Sequence, residues 1–253
     1  MDKSGFFGIT INIPCVFISD YLFFKYRDKV RNNMKYEPLA KFKQIGKQGQ
    51  KTLEKKTVAI VGLGNIGSTL AVIMVRSGIE VRLIDKGRCH KEELSAQCLY
   101  TDEDDTRFKA KQAKKRLKNI SSRFKVKTFH EDLDKNSLFL LKSDLIIDAT
   151  GNLETSKLIA GYAYKNKIPL IFAVNSGSQG LILTTNKKVD FEKLKRKVNN
   201  LEPISRAGII GPTVHMTAAI IAKKAFKILL NKQYKKEIIS FDVWEDTIRR
   251  QKL

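Results

Sequence analysis

Cysteine is scarce in this chain: Cys15, Cys89 and Cys98 are the three in 253 residues, and no two form a C-x-x-C pair. That excludes a disulfide framework and a cysteine-rich zinc site, so no zinc is expected, and it suits a reducing cytoplasm. Five prolines and 15 glycines, nowhere clustered, exclude a low-complexity or collagen-like chain. Acidic residues are also short: 26 Asp and Glu against 48 Lys and Arg leave a net charge of +22. Such a surface attracts polyanions. The excess is spread along the chain and no nucleic-acid recognition motif accompanies it, so nucleic acid stays a partner class without a motif behind it. Long apolar runs are missing too. The stretch from Phe6 to Phe24 spans 19 positions but holds Asn12, Pro14 and Asp20, costly inside a bilayer, so a membrane anchor is not expected. A basic run follows it rather than preceding it, against the order of a signal peptide. Residues 1–33 are therefore expected to be an extension, poorly ordered or artificial, and residues 34–253 a single domain.

What is present is an alternation of strands and helices. TVAIVG (57–62), EVRLID (80–85), KVKTFH (125–130), DLIIDA (144–149), IPLIFAV (168–174) and GLILTT (180–185) are short apolar runs of the kind that form buried strands. Between them lie helical patterns: one after Gly67, then 106–120, 154–166, 190–199, and a long one from Pro212 to Asn231. The stripe Ile220, Ile221, Ala225, Ile228, Leu229 on that long helix reads as core or as a dimer surface. EIISFDVWED near the end has strand alternation, with Trp244 expected to cap the core. The pattern predicts an α/β, Rossmann-like, doubly wound and mostly parallel sheet with helices on both faces.

The first strand–helix turn carries the sharpest signal, Gly62-Leu63-Gly64-Asn65-Ile66-Gly67. Gly62 permits the tight turn, Gly64 lets the backbone approach phosphate, and Gly67 lets the helix pack closely on the strand. The N–H groups of the helix start, at Asn65 and Ile66, then face a phosphate chain. Asp85 ends the second strand, where it can accept hydrogen bonds from ribose hydroxyls. The turn predicts a nucleotide site without choosing between NAD, FAD and ATP. Elsewhere signals are weak. Cys89 and Cys98 read as packing residues, His215 as a packed or interface residue, and His90 and His130 have no partner at metal spacing.

Beyond the loop, five segments stand in a set order: KYEPLAKFKQIGKQGQKTLEKKTVAIVGLGNIGS, LSAQCLYTDEDDTRFKAKQAKKRL, IIDATGN, KIPLIFAVNSGSQG and AGIIGPTVHMTAAIIAKKAFKIL. Together, from about residue 35 to 245, they resemble the MoeB/ThiF/HesA family, prokaryotic relatives of ubiquitin-activating enzymes. The resemblance implies an ATP- and Mg²⁺-dependent adenylyltransferase. Its substrate would be the C-terminal Gly-Gly carboxylate of a small ubiquitin-fold or sulfur-carrier protein, and the enzyme a homodimer. It further implies that Gly62, Gly64, Asn65, Ile66, Gly67, Asp85 and Thr150 bind nucleotide, and that Gln97 and Lys109 are catalytic, Lys109 also contacting phosphate. The stretch from Arg107 to Lys127 holds ten basic residues and no acidic one, so Lys109 is otherwise one of many.

The chain departs from the family pattern at four places. Ala96 replaces an arginine, Glu93 an asparagine, and Pro38 an arginine that reaches a neighbouring subunit. Gly151 replaces the magnesium-binding aspartate, leaving Asp148 as the nearest carboxylate for metal. Two alternatives stay open beside the adenylyltransferase: a nucleotide-binding relative of weak catalysis with a regulatory or scaffold role, and an NAD-dependent oxidoreductase.

Overall fold

The apolar run Thr57–Val61 forms β1 in the middle of an eight-stranded sheet of order β3-β2-β1-β4-β5-β6-β7-β8. The computed structural model describes residues 35–121 and 125–252; the expectations for residues 1–33 lie outside them. The chain divides into the units Met1–Pro38 and Leu39–Leu253, and the sheet belongs to the second. Its other strands are β2 (Glu80–Ile84), β3 (Val126–Phe129), β4 (Leu145–Asp148), β5 (Leu170–Ser176), β6 (Gln179–Thr185), β7 (Glu237–Asp242) and β8 (Thr247–Lys252). The longer helices are α1 (Gly46–Leu53), α2 (Asn65–Arg76), α3 (Lys109–Ile120), α4 (Leu153–Lys165), α5 (Phe191–Asn199) and α6 (Gly211–Leu229), and a single helical turn covers Ile204–Ala207.

Pairing is parallel from β3 through β5 and antiparallel from β5 through β8. The sheet is thus mostly parallel, in four of its seven pairings, with an antiparallel end. Apolar runs buried on both faces look alike in either direction, and the Gly177 turn between β5 and β6, at φ +55°, is what reverses the chain.

Alternate residues of the central strands feed two layers. Val58, Ile60, Leu83, Leu145 and Ile147 pack with Leu70 and Met74 of α2, Leu117 of α3 and Ile221 and Ala225 of α6. On the opposite face, Ala59, Val61 and Ile146 meet Ile159, Ala160 and Ala163 of α4. Helices therefore cover both faces, and each fully buried Leu or Ile contributes about 1.5–3 kcal/mol of apolar burial. The stripe on α6 is core: Ile221, Ala225, Ile228 and Leu229 are buried within this chain. β8 is exposed along its length and carries Arg249, Arg250 and Lys252, charges that discourage edge-to-edge pairing.

Local chemistry sets the helix ends. Asn152 accepts the Thr155 N–H at 3.0 Å to start α4, and Asp190 accepts the Lys193 N–H at 3.0 Å to start α5. α3 begins at Lys109, not at 106. Thr106 takes a left-handed φ of +62° and gives its N–H to Cys89 at 2.8 Å, so residues 106–108 pair with the loop rather than extend the helix. Trp244 does not cap the core; it is 77% exposed on the β7–β8 turn. Among the described residues, no helix is long and apolar enough to cross a membrane.

Candidate nucleotide site

The strand order reverses direction between β1 and β4. In such a sheet, the loops leaving the carboxyl ends of those two strands diverge and open a crevice. A cleft of about 290 Å³ lies there, lined by Gly62, Gly64, Asn65 and Ile66 after β1 and by Ala149, Thr150 and Gly151 after β4. Asp85, Glu93, Gln97 and Lys109 close one side, and Asn175 of β5 another.

The glycines do different work. Gly62 has φ +86°, and a Cβ there would stand 2.5 Å from the Ala149 carbonyl oxygen. A Cβ on Gly67 would stand 1.8 Å from the Gly62 carbonyl oxygen, so α2 could not sit so close to β1. A Cβ on Gly64 would meet nothing within 4 Å. Its lack of a side chain is unexplained by packing and fits a ligand that approaches the backbone. Gly64 is the N-cap of α2 and makes no side-chain cap, leaving the first helical N–H groups for an anion. Gly67 itself is behind the loop and does not line the cleft.

Asp85 is tied to the loop. Its Oδ2 accepts the Leu63 N–H at 2.5 Å and its Oδ1 accepts the Gly87 N–H at 2.5 Å. The buried Tyr100 hydroxyl donates to the Leu63 carbonyl at 3.0 Å. Burial is the leading reason that this hydroxyl's pKa is raised, followed by the charge of Asp85. Thus Tyr100, which carried no signal in the sequence, fixes the same loop from 37 residues away.

Residues 86–108 leave β2, and return so that the Lys109 N–H donates to the Gly87 carbonyl at 3.0 Å. This excursion delivers Glu93, Gln97 and Lys109 to the cleft. Lys109, at the first turn of α3, is 7% exposed, whereas Lys111, Lys114, Lys115 and Lys118 on the same helix are solvent-facing. Its ammonium pairs with Glu93 Oε2 at 2.7 Å. Gln97 is 2% exposed, and its Oε1 has no partner among the described residues. The same holds for Nδ2 of Asn175, 4% exposed. Both amides line the cleft, and a buried polar group without a partner is costly unless a ligand supplies one. Asn175 was missed by sequence reasoning; a lone Asn inside the apolar run LIFAVNS was the available signal.

Asp148 stands behind the cleft wall. It is buried, and its Oδ1 accepts the Thr150 N–H at 3.0 Å and the Thr150 hydroxyl at 2.7 Å. Burial raises the carboxyl above its ordinary pKa, against the hydrogen bonds of Ser156 and Thr150 that lower it. Thr150 lines the cleft; Asp148 does not. Gly151 does, at φ +65°, with open space where a side chain would be.

Cys89 is buried, its thiol pushed up to about 11 chiefly by burial, then by Asp104. Cys98 is exposed rather than packed, within 3.4 Å of the Thr69 hydroxyl. His215 is also exposed, its Nδ1 2.9 Å from the Gly211 carbonyl. A wider recess of about 570 Å³ lies at the antiparallel end, lined by residues such as Gln179, Leu181, Asp242 and Arg249.

The ThiF family model matches residues 36–253. The sulfur carrier protein ThiS adenylyltransferase of Bacillus subtilis is 31% identical over 215 residues, covering 81% of this chain and 63% of that protein. The chain thus spans less than two thirds of that relative. The sulfur carrier protein adenylyltransferase of Thermus thermophilus is 26% identical over 222 residues, 82% of each chain. In fold, the crystal structure of PaaA superposes with a TM-score of 0.68 at 22% identity, covering 80% of this chain and 65% of that one. Escherichia coli MccB with ATP gives 0.65 at 20% identity, with 80% and 65% covered.

Proposed function

The chain belongs to the ThiF family, and on that premise we propose that it is an ATP-dependent adenylyltransferase. Its substrate is the C-terminal Gly-Gly carboxylate of a small ubiquitin-fold or sulfur-carrier protein. The observation that carries this reading is the convergence on one cleft of an uncapped helix start, the Gly64 backbone, Asp85 and the buried ammonium of Lys109.

In this reaction a carboxylate oxygen of the carrier attacks the α-phosphorus of ATP. The bond from that phosphorus to the bridging oxygen of the β-phosphate breaks, pyrophosphate leaves, and the acyl adenylate remains. No proton has to move, so the protein's part is placement and charge. The Gly64 backbone and the α2 N-terminus receive phosphate oxygens. Asp85, whose oxygens each keep a lone pair beyond the loop N–H they accept, orients the ribose hydroxyls. Lys109 exchanges Glu93 for a phosphate oxygen and offsets charge as pyrophosphate departs. Gln97 and Asn175 give their unpaired amide atoms to the bound substrates. A dehydrogenase has no use for Gln97 and Lys109 in these places, and that weighs against the NAD reading. The working form in this proposal is cytoplasmic and dimeric, the dimer resting on the family pattern and not on the α6 stripe.

ATP–pyrophosphate exchange in the presence of a Gly-Gly carrier tests it. Lys109→Ala lowers exchange by about 10²–10³, the effect of removing one charge-stabilising group. Robust exchange that is indifferent to Lys109 would show that another constellation does the chemistry.

A further inference from the structure

In a chain of net charge +22, the nucleotide cleft is lined by three charged side chains, Asp85, Glu93 and Lys109, which sum to −1. A triphosphate alone is repelled by that balance, so cation must enter with it. The family resemblance puts a metal carboxylate at position 151, where Gly151 has no side chain, and Asp148 is buried behind Thr150. Of the two carboxylates that do line the cleft, Asp85 accepts a backbone N–H at each oxygen and gives its remaining lone pairs to the ribose. Glu93 differs. Its Oε2 is buried against the Lys109 ammonium, while the side chain keeps 36% exposure in the lining of the cleft.

We propose that Glu93 is the metal carboxylate of this site, holding Mg²⁺ against the phosphates of bound ATP. The residues present fit the ion: Mg²⁺ is a hard cation that needs one or two carboxylates and completes its shell with water and substrate phosphate. When bound it neutralises phosphate charge. As the nucleotide enters, the Lys109 ammonium passes from Glu93 to a phosphate oxygen, and the carboxylate so released takes the ion. Glu93 therefore has two roles in sequence, counter-ion of Lys109 without nucleotide and metal ligand with it. The inference rests on the nucleotide reading above and adds the residue that replaces position 151.

Calorimetric titration with ATP, in Mg²⁺ and in EDTA, separates the two. Wild type binds ATP about tenfold or more tightly with Mg²⁺, the scale of effect that metal-site groups have on affinity. Glu93→Gln removes a negative charge and frees Lys109, so metal-free ATP binds more tightly than to wild type, while the Mg²⁺ enhancement is lost. Glu93→Asp keeps a carboxylate and retains part of the enhancement. With Mn²⁺ as the spin probe, the bound-ion signal in the presence of ATP is strong for wild type and lost for Glu93→Gln. A Glu93→Gln protein that keeps the full enhancement would place the metal elsewhere. Equal weakening in both conditions would reduce Glu93 to a support for Lys109 and overturn the proposal. If wild type binds no ATP in either condition, the nucleotide reading itself falls.

Discussion

Gly64 and Gly67 stand in one short loop and answer to different constraints. Gly67 is required by packing, since its Cβ would overlap the Gly62 carbonyl, and Gly64 is not. Gly67→Ala is therefore expected to cost about 1–3 kcal/mol of stability, as overpacking does. Gly64→Ala should leave the unfolding midpoint unchanged and weaken ATP binding by about tenfold, because a methyl group takes space the phosphates need. Urea denaturation and calorimetry on the two variants check this, and a Gly64→Ala protein with undiminished ATP affinity would mean that phosphate does not approach there. The glycines and Asp85 were legible in the sequence because their spacing is local. The Glu93–Lys109 pair, the Tyr100 contact and the amides of Gln97 and Asn175, unpaired among the described residues, were not, since each depends on what the fold buries together. Lys109 shows why: among the basic residues of α3 it is burial that sets it apart, and burial is a property of the fold.

At the scale of elements, the strands at both ends of the sheet were readable as apolar runs, and the antiparallel direction from β5 onward was not. β7 is joined to α6 by a buried ion pair between Lys224 and Glu237, 3% and 4% exposed, with Arg250 of β8 also 3.3 Å from Glu237. Burial alone pushes the Glu237 carboxyl up, but the Lys224 hydrogen bond and the charges of Lys224 and Arg250 outweigh it, and the carboxyl lies below its ordinary 4.5. A carboxyl lowered by folding contributes stability above its unfolded pKa and loses it as pH falls through the folded value. Glu237→Gln should thus cost about 3 kcal/mol at neutral pH, because it leaves the Lys224 ammonium buried without its counter-charge. The deficit should shrink on acidification below the ordinary value, as wild type itself loses the pair. Lys224→Met combined with Glu237→Leu should recover most of the loss. Denaturation curves across pH read this directly, and a deficit constant down to about pH 3 would refute the assignment.

Across the whole molecule a net charge of +22 contrasts with a cleft whose charged lining, Asp85, Glu93 and Lys109, sums to −1. The exposed lysines of α3, Lys111, Lys114, Lys115 and Lys118, lie beside the cleft's Lys109 end and would draw an acidic partner toward it, an effect that weakens as salt rises. The charge was plain in the sequence; its separation from the cleft was not, because composition carries no position. Of the two readings of the stripe on the long helix, core or dimer surface, the fold takes the core, since Ile221, Ala225, Ile228 and Leu229 are buried against the sheet. The central claim is that these parts together join AMP to a carrier's C-terminal carboxylate. Intact-mass spectrometry of a ThiS-type carrier ending in Gly-Gly, incubated with the protein, ATP and Mg²⁺, tests it most directly. The account predicts a carrier heavier by one AMP, formed by wild type and missing with Lys109→Ala. A carrier of unchanged mass, under conditions where wild type demonstrably binds ATP, would contradict it.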